Sequence, residues 1–375
     1  MAQLFTPLTL RGLTLKNRLA VSPMCQYSAR DGLATDWHLV HLGRFGLGGF
    51  GLVTVEATAV TREGRITYAD LGLWDDSQID PLRRITSFLR TQGAASAIQL
   101  SHAGGKASSG VWWRQGVAET EAEKIEFGYE QWQPSAPSAL SYGADDRPVA
   151  QLDDSGLQAI RDGFRTATQR ALAANFDMVE IHAAHGYLLH QFLSPLTNRR
   201  SDGYGGDRPN RMRFPLEIAE IVRQEWPSDR PLMVRISAQE RDPAGWQLAD
   251  SVVLARELKA RGVDLIDCSS GNGSSNTAFA LYQVPLAETI RREAGIAVMA
   301  IGLITDAAAA EAVVADGHAD LVALARGALE DPNWPVHARH LLGGDDDAYG
   351  HWPRQIGFVI QNKDRELGER QFDAD

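Results

Sequence analysis

Eight short runs of apolar and β-branched residues, at 19–24, 52–57, 95–100, 178–182, 232–237, 263–269, 296–301 and 319–325, recur along the chain with longer, mostly amphipathic stretches between them. Runs of this length without polar alternation read as strands buried on both faces, the mark of a parallel sheet. Strands that alternate with helices either close into a barrel or open into a doubly wound sheet. An open sheet usually carries Gly-x-Gly-x-x-Gly just after its first strand. No such turn follows residue 24, and the glycines of 43–51 precede the second run instead of opening a helix. The expected fold is therefore α/β, a (β/α)8 TIM barrel, with 1–375 forming one domain.

The segments between the runs support this. Ser155 and Gln158 make a capping-box pattern ahead of Leu157, Ile160, Phe164, Ala167 and Ala171 at helical spacing, with Asn175 as the stop. Helices are also expected over 250–261, ended by Gly262, and over 305–316, capped by Thr305 and ended by Gly317. Residues 1–18 read as a hairpin turning at Gly12 that plugs the bottom of the barrel. Residues 101–153, with Trp112, Trp113 and Trp132, form a long excursion after the third strand on the side where barrel enzymes do chemistry. A C-terminal tail runs from about 344 to 375.

Composition removes several classes of function. A net charge of −11 argues against nucleic-acid binding, which needs clustered Lys and Arg. No run approaches the ~20 apolar residues of a membrane helix, and the first residues lack the pattern of a signal peptide. Two cysteines, Cys25 and Cys268, make neither a disulfide framework nor a CxxC site. A cytoplasmic protein is expected.

In barrel enzymes reactive groups sit where strands end. Those ends carry Pro23-Met24-Cys25-Gln26-Tyr27, Glu56-Ala57, Gln99, His182-Ala-Ala-His185-Gly-Tyr187, Arg235, Gly302 and Arg326-Gly327. Glycines after the seventh and eighth strands, joined by Arg326, suit phosphate; alone they would as readily only shape turns. His182 and His185 suit three roles: a donor pair to an anionic or carbonyl oxygen, metal ligands lacking an evident third partner, or packing. Tyr187 adds a phenol, a proton donor that stays neutral at pH 7. Cys25 reads as a small buried hydrophobe or a reactive thiol, and Trp113 as a candidate wall of the substrate mouth.

Taken together, Ser22-Pro23-Met24-Cys25-Gln26-Tyr27, Thr35-Asp36-Trp37-His38, the His182–Tyr187 run, 192–198, Tyr204-Gly205-Gly206 with Asn210-Arg211, and 331–335 resemble the Old Yellow Enzyme family of FMN-dependent ene-reductases. Cysteine in the first motif points to its bacterial, xenobiotic-reductase-like and thermophilic-like branch. The resemblance covers roughly residues 3–340 and implies non-covalent FMN, reduced by NADPH or NADH and reoxidised by an activated alkene. It implies that Ser22, Pro23, Met24, Cys25, Ala57 and Gln99 line the flavin, that Arg235 faces its N1 edge, and that Ala300, Gly302, Ala325 and Arg326 hold the phosphate. His182 and His185 would grip the substrate oxygen, Tyr187 would protonate the α-carbon, and Tyr27 would orient the substrate. It further implies a homodimer or homotetramer in which Trp352 reaches a neighbouring subunit's pocket. Two positions depart from the family: Ile356 follows Gln355 where a Tyr is usual, and Ala325 stands where a Gly often precedes the arginine. Other readings are a further FMN-barrel reductase of the superfamily, a metal-dependent hydrolase using His182 and His185, and a non-catalytic flavin carrier.

Overall fold

The structure is a computed structural model and describes residues 2–111, 113, 120–122, 125, 131–142, 148–271, 280–343 and 349–372; Trp112 lies outside them. A hairpin of β1 (Leu8–Leu10) and β2 (Leu13–Leu15) comes first. Eight strands then follow: β3 (Leu19–Val21), β4 (Leu52–Ala59), β5 (Ala95–Ser101), β8 (Met178–Ala183), β9 (Leu232–Ser237), β10 (Leu265–Ser269), β11 (Ala297–Ala300) and β12 (Leu321–Leu324). They pair in parallel around a closed ring, β12 returning to β3, so all eight sequence runs become barrel strands. The pair β6 (Ser135–Ala136) and β7 (Ala150–Gln151) lies in the excursion after β5.

Two apolar clusters fill the fold. Outward-facing strand residues pack under the helices, while Ala20, Leu52, Ala97, Met178, Met233, Leu265, Met299 and Leu321 fill the lower barrel interior. Leu8, Leu10, Leu13 and Leu15 join this inner cluster, so the hairpin stoppers the N-terminal end as expected. Its turn differs in detail: Arg11, not Gly12, takes the left-handed conformation (φ 51°). Gly12 instead receives the carbonyl of Asp229, which a Cβ would meet at 2.9 Å.

Helix ends follow aspartates. The helix Asp154–Ala173 is capped by Asp153, whose carboxylate accepts from Gly156 N at 2.8 Å; Ser155 only hydrogen-bonds that carboxylate. Asp306 caps Ala307–Ala315 through Ala309 N, displacing the expected Thr305. A carboxylate wins both places because it adds charge to the cap at the positive end of the helix. The expected helix over 250–261 is Leu248–Ala260. Asn175 (φ 61°), Gly262 and Gly317 supply the expected left-handed stops.

Several motifs serve the frame. Asn198 Nδ2 donates to the carbonyls of Phe192 and Tyr204, and Arg211 Nε donates to that of Leu193. Trp334 Nε1 donates to Thr305 O. Gly48, at the end of the helix Asp36–Leu47, lies so close to Pro332 that a Cβ would stand 1.7 Å from its carbonyl oxygen. Gly48→Ala is expected to destabilise the fold by about 3 kcal/mol, the range of forced overpacking, read as a lower urea midpoint. An unchanged midpoint would mean that the two segments part without strain.

Candidate active site

At the C-terminal mouth, β8 ends in a tight turn that gathers three reactive rings. His185 (φ 60°) and Gly186 (φ 72°) are both left-handed. This reverses the chain so that the His185 and Tyr187 rings lie 5.2 and 5.1 Å from that of His182. A non-glycine residue with φ near 60° is costly and persists only where neighbours hold it. Ser237 Oγ accepts from His185 N at 2.9 Å, Lys106 Nζ donates to His185 O at 2.7 Å, and Gly186 N donates to His190 Nδ1 at 2.7 Å. Lys106 reaches here from a 3₁₀ turn, Gly104–Lys106, and also lies 5.5 Å from the centre of the Tyr187 ring. Burial lowers its pKa to about 8.

One hydrogen bond fixes a tautomer here: Ala184 N donates to His182 Nδ1 at 3.3 Å, leaving the proton on Nε2. His185 Nε2 meets Ser269 Oγ at 2.7 Å, and Ser269 Oγ also accepts from Gln283 Nε2 at 3.4 Å. Ser269 Oγ can donate to His185 Nε2 or accept from it, so both tautomers of His185 satisfy this contact. Burial, then the nearby Arg235 guanidinium, holds both imidazoles well below the usual histidine range. Burial likewise pushes the Tyr187 phenol well above its ordinary value. His182 therefore keeps an N–H and Tyr187 its O–H to give at neutral pH.

Beside the rings, Cys25, Ala57 and Tyr187 share a small apolar cluster with Ile66, Ala103 and Ala107. Cys25 is half-buried, its thiol pushed well up by burial and by Asp70 and Glu56. Tyr27 (φ 50°) packs on Tyr68 and Val111 and meets Trp113 edge-on at 5.3 Å. A bulge between Val55 and Ala57 sets Glu56 out of the β4 register, and its carboxylate accepts from Gln26 N at 3.1 Å. His38 Nε2 approaches that carboxylate at 3.9 Å, while its Nδ1 accepts from Thr35 N. The Thr35–His38 motif thus ties the loop bearing Cys25 and Tyr27 to the following helix.

Around the mouth from the rings, Ser22, Arg235, Gly302, Ala325, Arg326 and Gly327 line one cleft of about 100 Å³, with Tyr282, Gln283, Leu303, Ile304 and Thr305. Gly302 has φ 116°, open only to glycine, and leaves backbone facing the cleft. Ala300 is not among its lining; its side chain packs in the outer core, so only its backbone is available there. Pro23 and Met24 are half-buried at the end of β3, Met24 against the same core.

One layer below, Gln99 Nε2 donates to Glu180, and level with His182 Arg235 Nε lies 3.1 Å from Asp267. Ser22 Oγ is buried with no hydrogen-bond partner, while Arg235 Nε has only its ion pair with Asp267. Orphaned groups of this kind call for a ligand or water. A guanidinium, an amide and exposed backbone beside a cleft with an arginine at its far end fit a polar heterocycle bearing a phosphate. FMN suits this donor set.

Trp352 is half-buried, its ring 5.6 Å from that of His337. Ile356 is 41% exposed on the terminal helix Arg354–Phe372. Among the described residues, no group of three or more His, Cys, Asp and Glu is arranged to hold a metal, and no helix is long and apolar enough to cross a membrane. Lys106, Ser237, Ser269 and Gln283 escaped the sequence reading. Ser237 and Ser269 do end strands, a usable signal; Lys106 and Gln283 sit in connections whose path sequence does not give.

Barrel and mouth together define a flavin-binding oxidoreductase. The chain belongs to the NADH:flavin oxidoreductase / NADH oxidase family, whose pattern matches residues 3–343, and the Old Yellow Enzyme resemblance holds. An NADPH dehydrogenase of Geobacillus sp. (strain WCH70) is 44% identical over 344 residues, covering 91% of this chain and 94% of that protein. Among solved structures, morphinone reductase is 27% identical with TM-score 0.75, covering 94% of this chain and 96% of that one. A 2-naphthoyl-CoA reductase gives TM-score 0.79 at 23% identity over 89% of this chain, which spans only 51% of that longer enzyme and shares its fold. The protein is an NAD(P)H-dependent flavin oxidoreductase with FMN as cofactor.

Burial of neutral imidazoles links stability to pH. His102 is buried, accepts from Gly104 N at 3.0 Å, and has its pKa lowered by burial to about 4. Its unfolded form takes a proton near pH 6.5. The stability it contributes is present above pH 6.5 and is lost as pH falls towards 4. His102→Gln should therefore flatten the acid-side dependence of unfolding free energy by about 1.4 kcal/mol per pH unit over that window. Denaturant titrations at pH 4.5, 5.5 and 6.5 measure it; parallel curves for the two proteins would refute it.

Proposed function

We propose that the protein is an ene-reductase that reduces the C=C bond of activated alkenes, such as α,β-unsaturated carbonyl and nitro compounds, at the expense of NADPH or NADH. The observation that carries this reading is the gathering of the His185 and Tyr187 rings 5.2 and 5.1 Å from that of His182, where imidazoles and a phenol held neutral by burial meet at the mouth. A carbonyl or nitro oxygen received by His182 and His185 is polarised, drawing electron density from the β-carbon. FMN held at the mouth would, once reduced by NADPH or NADH, supply the hydride. Tyr187, its phenol 5.1 Å ring to ring from His182, hands its proton to the α-carbon.

The remaining residues hold the cofactor and shape the pocket. Ser22, Pro23, Met24, Cys25, Ala57 and Gln99 line the ring, and Arg235 offers its charge to the N1 edge. Gly302, Ala325, Arg326 and the backbone of Ala300 take the phosphate. Cys25 fills space beside the ring as a protonated thiol, and Tyr27 with Trp113 forms the outer wall. The reading extends to a cytoplasmic homodimer or homotetramer of one-domain subunits, in which Trp352 of one copy reaches another's mouth.

Three measurements test it. In an anaerobic cuvette, flavin absorbance should bleach with NADPH and return with 2-cyclohexenone; bleaching without return would leave a flavin reductase of another kind. Tyr187→Phe should slow alkene reduction by ~10²–10⁴ while flavin reduction by NADPH keeps its rate, and equal losses in both would remove the donor role. His182→Ala and His185→Ala should each weaken phenol binding to the oxidised enzyme by roughly tenfold or more, seen by charge-transfer titration. Unchanged affinity in both variants speaks against the oxygen grip.

A further inference from the structure

The barrel axis beneath the mouth holds two carboxyl groups that the reaction does not use. Inward-facing positions alternate along a strand, so Glu180 lies one layer below His182 on β8, with Gln99 beside it on β5. Arg235 on β9 is level with His182 and pairs with Asp267 on β10. Both carboxyls are fully buried. Glu180 Oε2 and both Asp267 oxygens have no hydrogen-bond donor.

Two fully buried carboxyls on the barrel axis, with one guanidinium that already pairs with Asp267 at 3.1 Å, cannot both ionise cheaply, because the second charge finds no counter-ion in contact. With one proton between them, the trio of Arg235, Glu180 and Asp267 is neutral. Burial, then the Asp267 charge, raises Glu180 to about 8, and burial raises Asp267 as well. Among the described residues beside the pair, Gln99 from β5 is an amide and His182 above is held neutral by burial.

We propose that Glu180 and Asp267 share a single proton beside Arg235, and that reduction of the cofactor seated over Arg235 tightens their hold on it, making the pair the charge-compensating group of the half-reaction with NAD(P)H. The inference rests on the reading that the FMN ring sits over Arg235. Hydride transfer adds one negative charge to that ring. A negative charge nearby raises the affinity of a carboxyl for its proton, so the reduced enzyme keeps the shared proton to higher pH than the oxidised enzyme does. Between those two titrations, reduction draws one extra proton from solvent onto the pair. Electrons go to the flavin alone, and the pair changes only its protonation.

The test is the midpoint potential of the FMN-bound enzyme from pH 6.5 to 10, with infrared difference spectra of reduced minus oxidised enzyme at pH 9. The wild type should take up one proton per two electrons at the acid end and approach two above pH 8, doubling the slope of potential against pH. Its difference spectrum should gain a protonated-carboxyl band. Glu180→Gln and Asp267→Asn should each restore the single slope throughout, and Glu180→Gln should abolish the band. A single slope in the wild type, or no carboxyl band gained at pH 9, overturns the proposal without any variant. A doubled slope that survives Glu180→Gln and disappears in Lys106→Met assigns the proton to the lysine and overturns it equally. Arg235→Met separates the two layers of argument. If it leaves the potential unmoved at every pH, the placement of the ring is wrong; if it lowers the potential while the wild-type slope stays single, only the shared proton is wrong.

Discussion

Pairing of β12 with β3 is the contact on which the site depends. Ser22 N donates to Leu324 O at 2.9 Å where the barrel closes. That bond sets residue 22 beside Ala325 and Arg326, from opposite ends of the chain, and the cleft they share exists only because the ring is complete. The bond extends a short parallel ladder, Leu19 to Val21 against Val322 to Leu324. Closure leaves no strand edge for another chain to join. Elsewhere in the same ring, the β8–β9 and β9–β10 pairings level Arg235 with both His182 and Asp267.

How much of this could be read from the sequence follows from how far each signal reaches. The eight strands were legible because burial on both faces leaves unbroken apolar runs that need no knowledge of neighbours. The leucine hairpin and the strand-end residues were legible for the same local reason. Asp153 and Asp306 were missed as caps because each sits beside a Ser or Thr that fits the same rule, and only the backbone path decides between them. Glu180 and Asp267 are 87 residues apart, and their meeting depends on register and barrel stagger, which no sequence spacing records. Lys106 belongs to this second kind, since its bond to His185 O spans a long excursion.

The quoted motifs divide in an instructive way. Some of their residues present groups to the mouth, as His182, His185 and Tyr187 do. Others secure backbone at a distance: His38 behind Glu56, Asn198 and Arg211 around the 192–206 turn, Trp334 on Thr305. Strain at His185 explains why so many residues serve in support. A left-handed histidine costs roughly 1–3 kcal/mol, and Ser237, Lys106 and the neighbouring turn hold it there. A recurring signature can thus report on scaffolding as much as on chemistry.

The leucine stopper gives the barrel a closed floor. With Leu8, Leu10, Leu13 and Leu15 packed at the lower end, the groups at the strand ends are approached from the mouth above His182. In the reaction proposed above, donor and acceptor would both meet that mouth. Turnover would then take the form of two alternating visits to one vestibule, and a compound that lingers there would compete with both visitors at once.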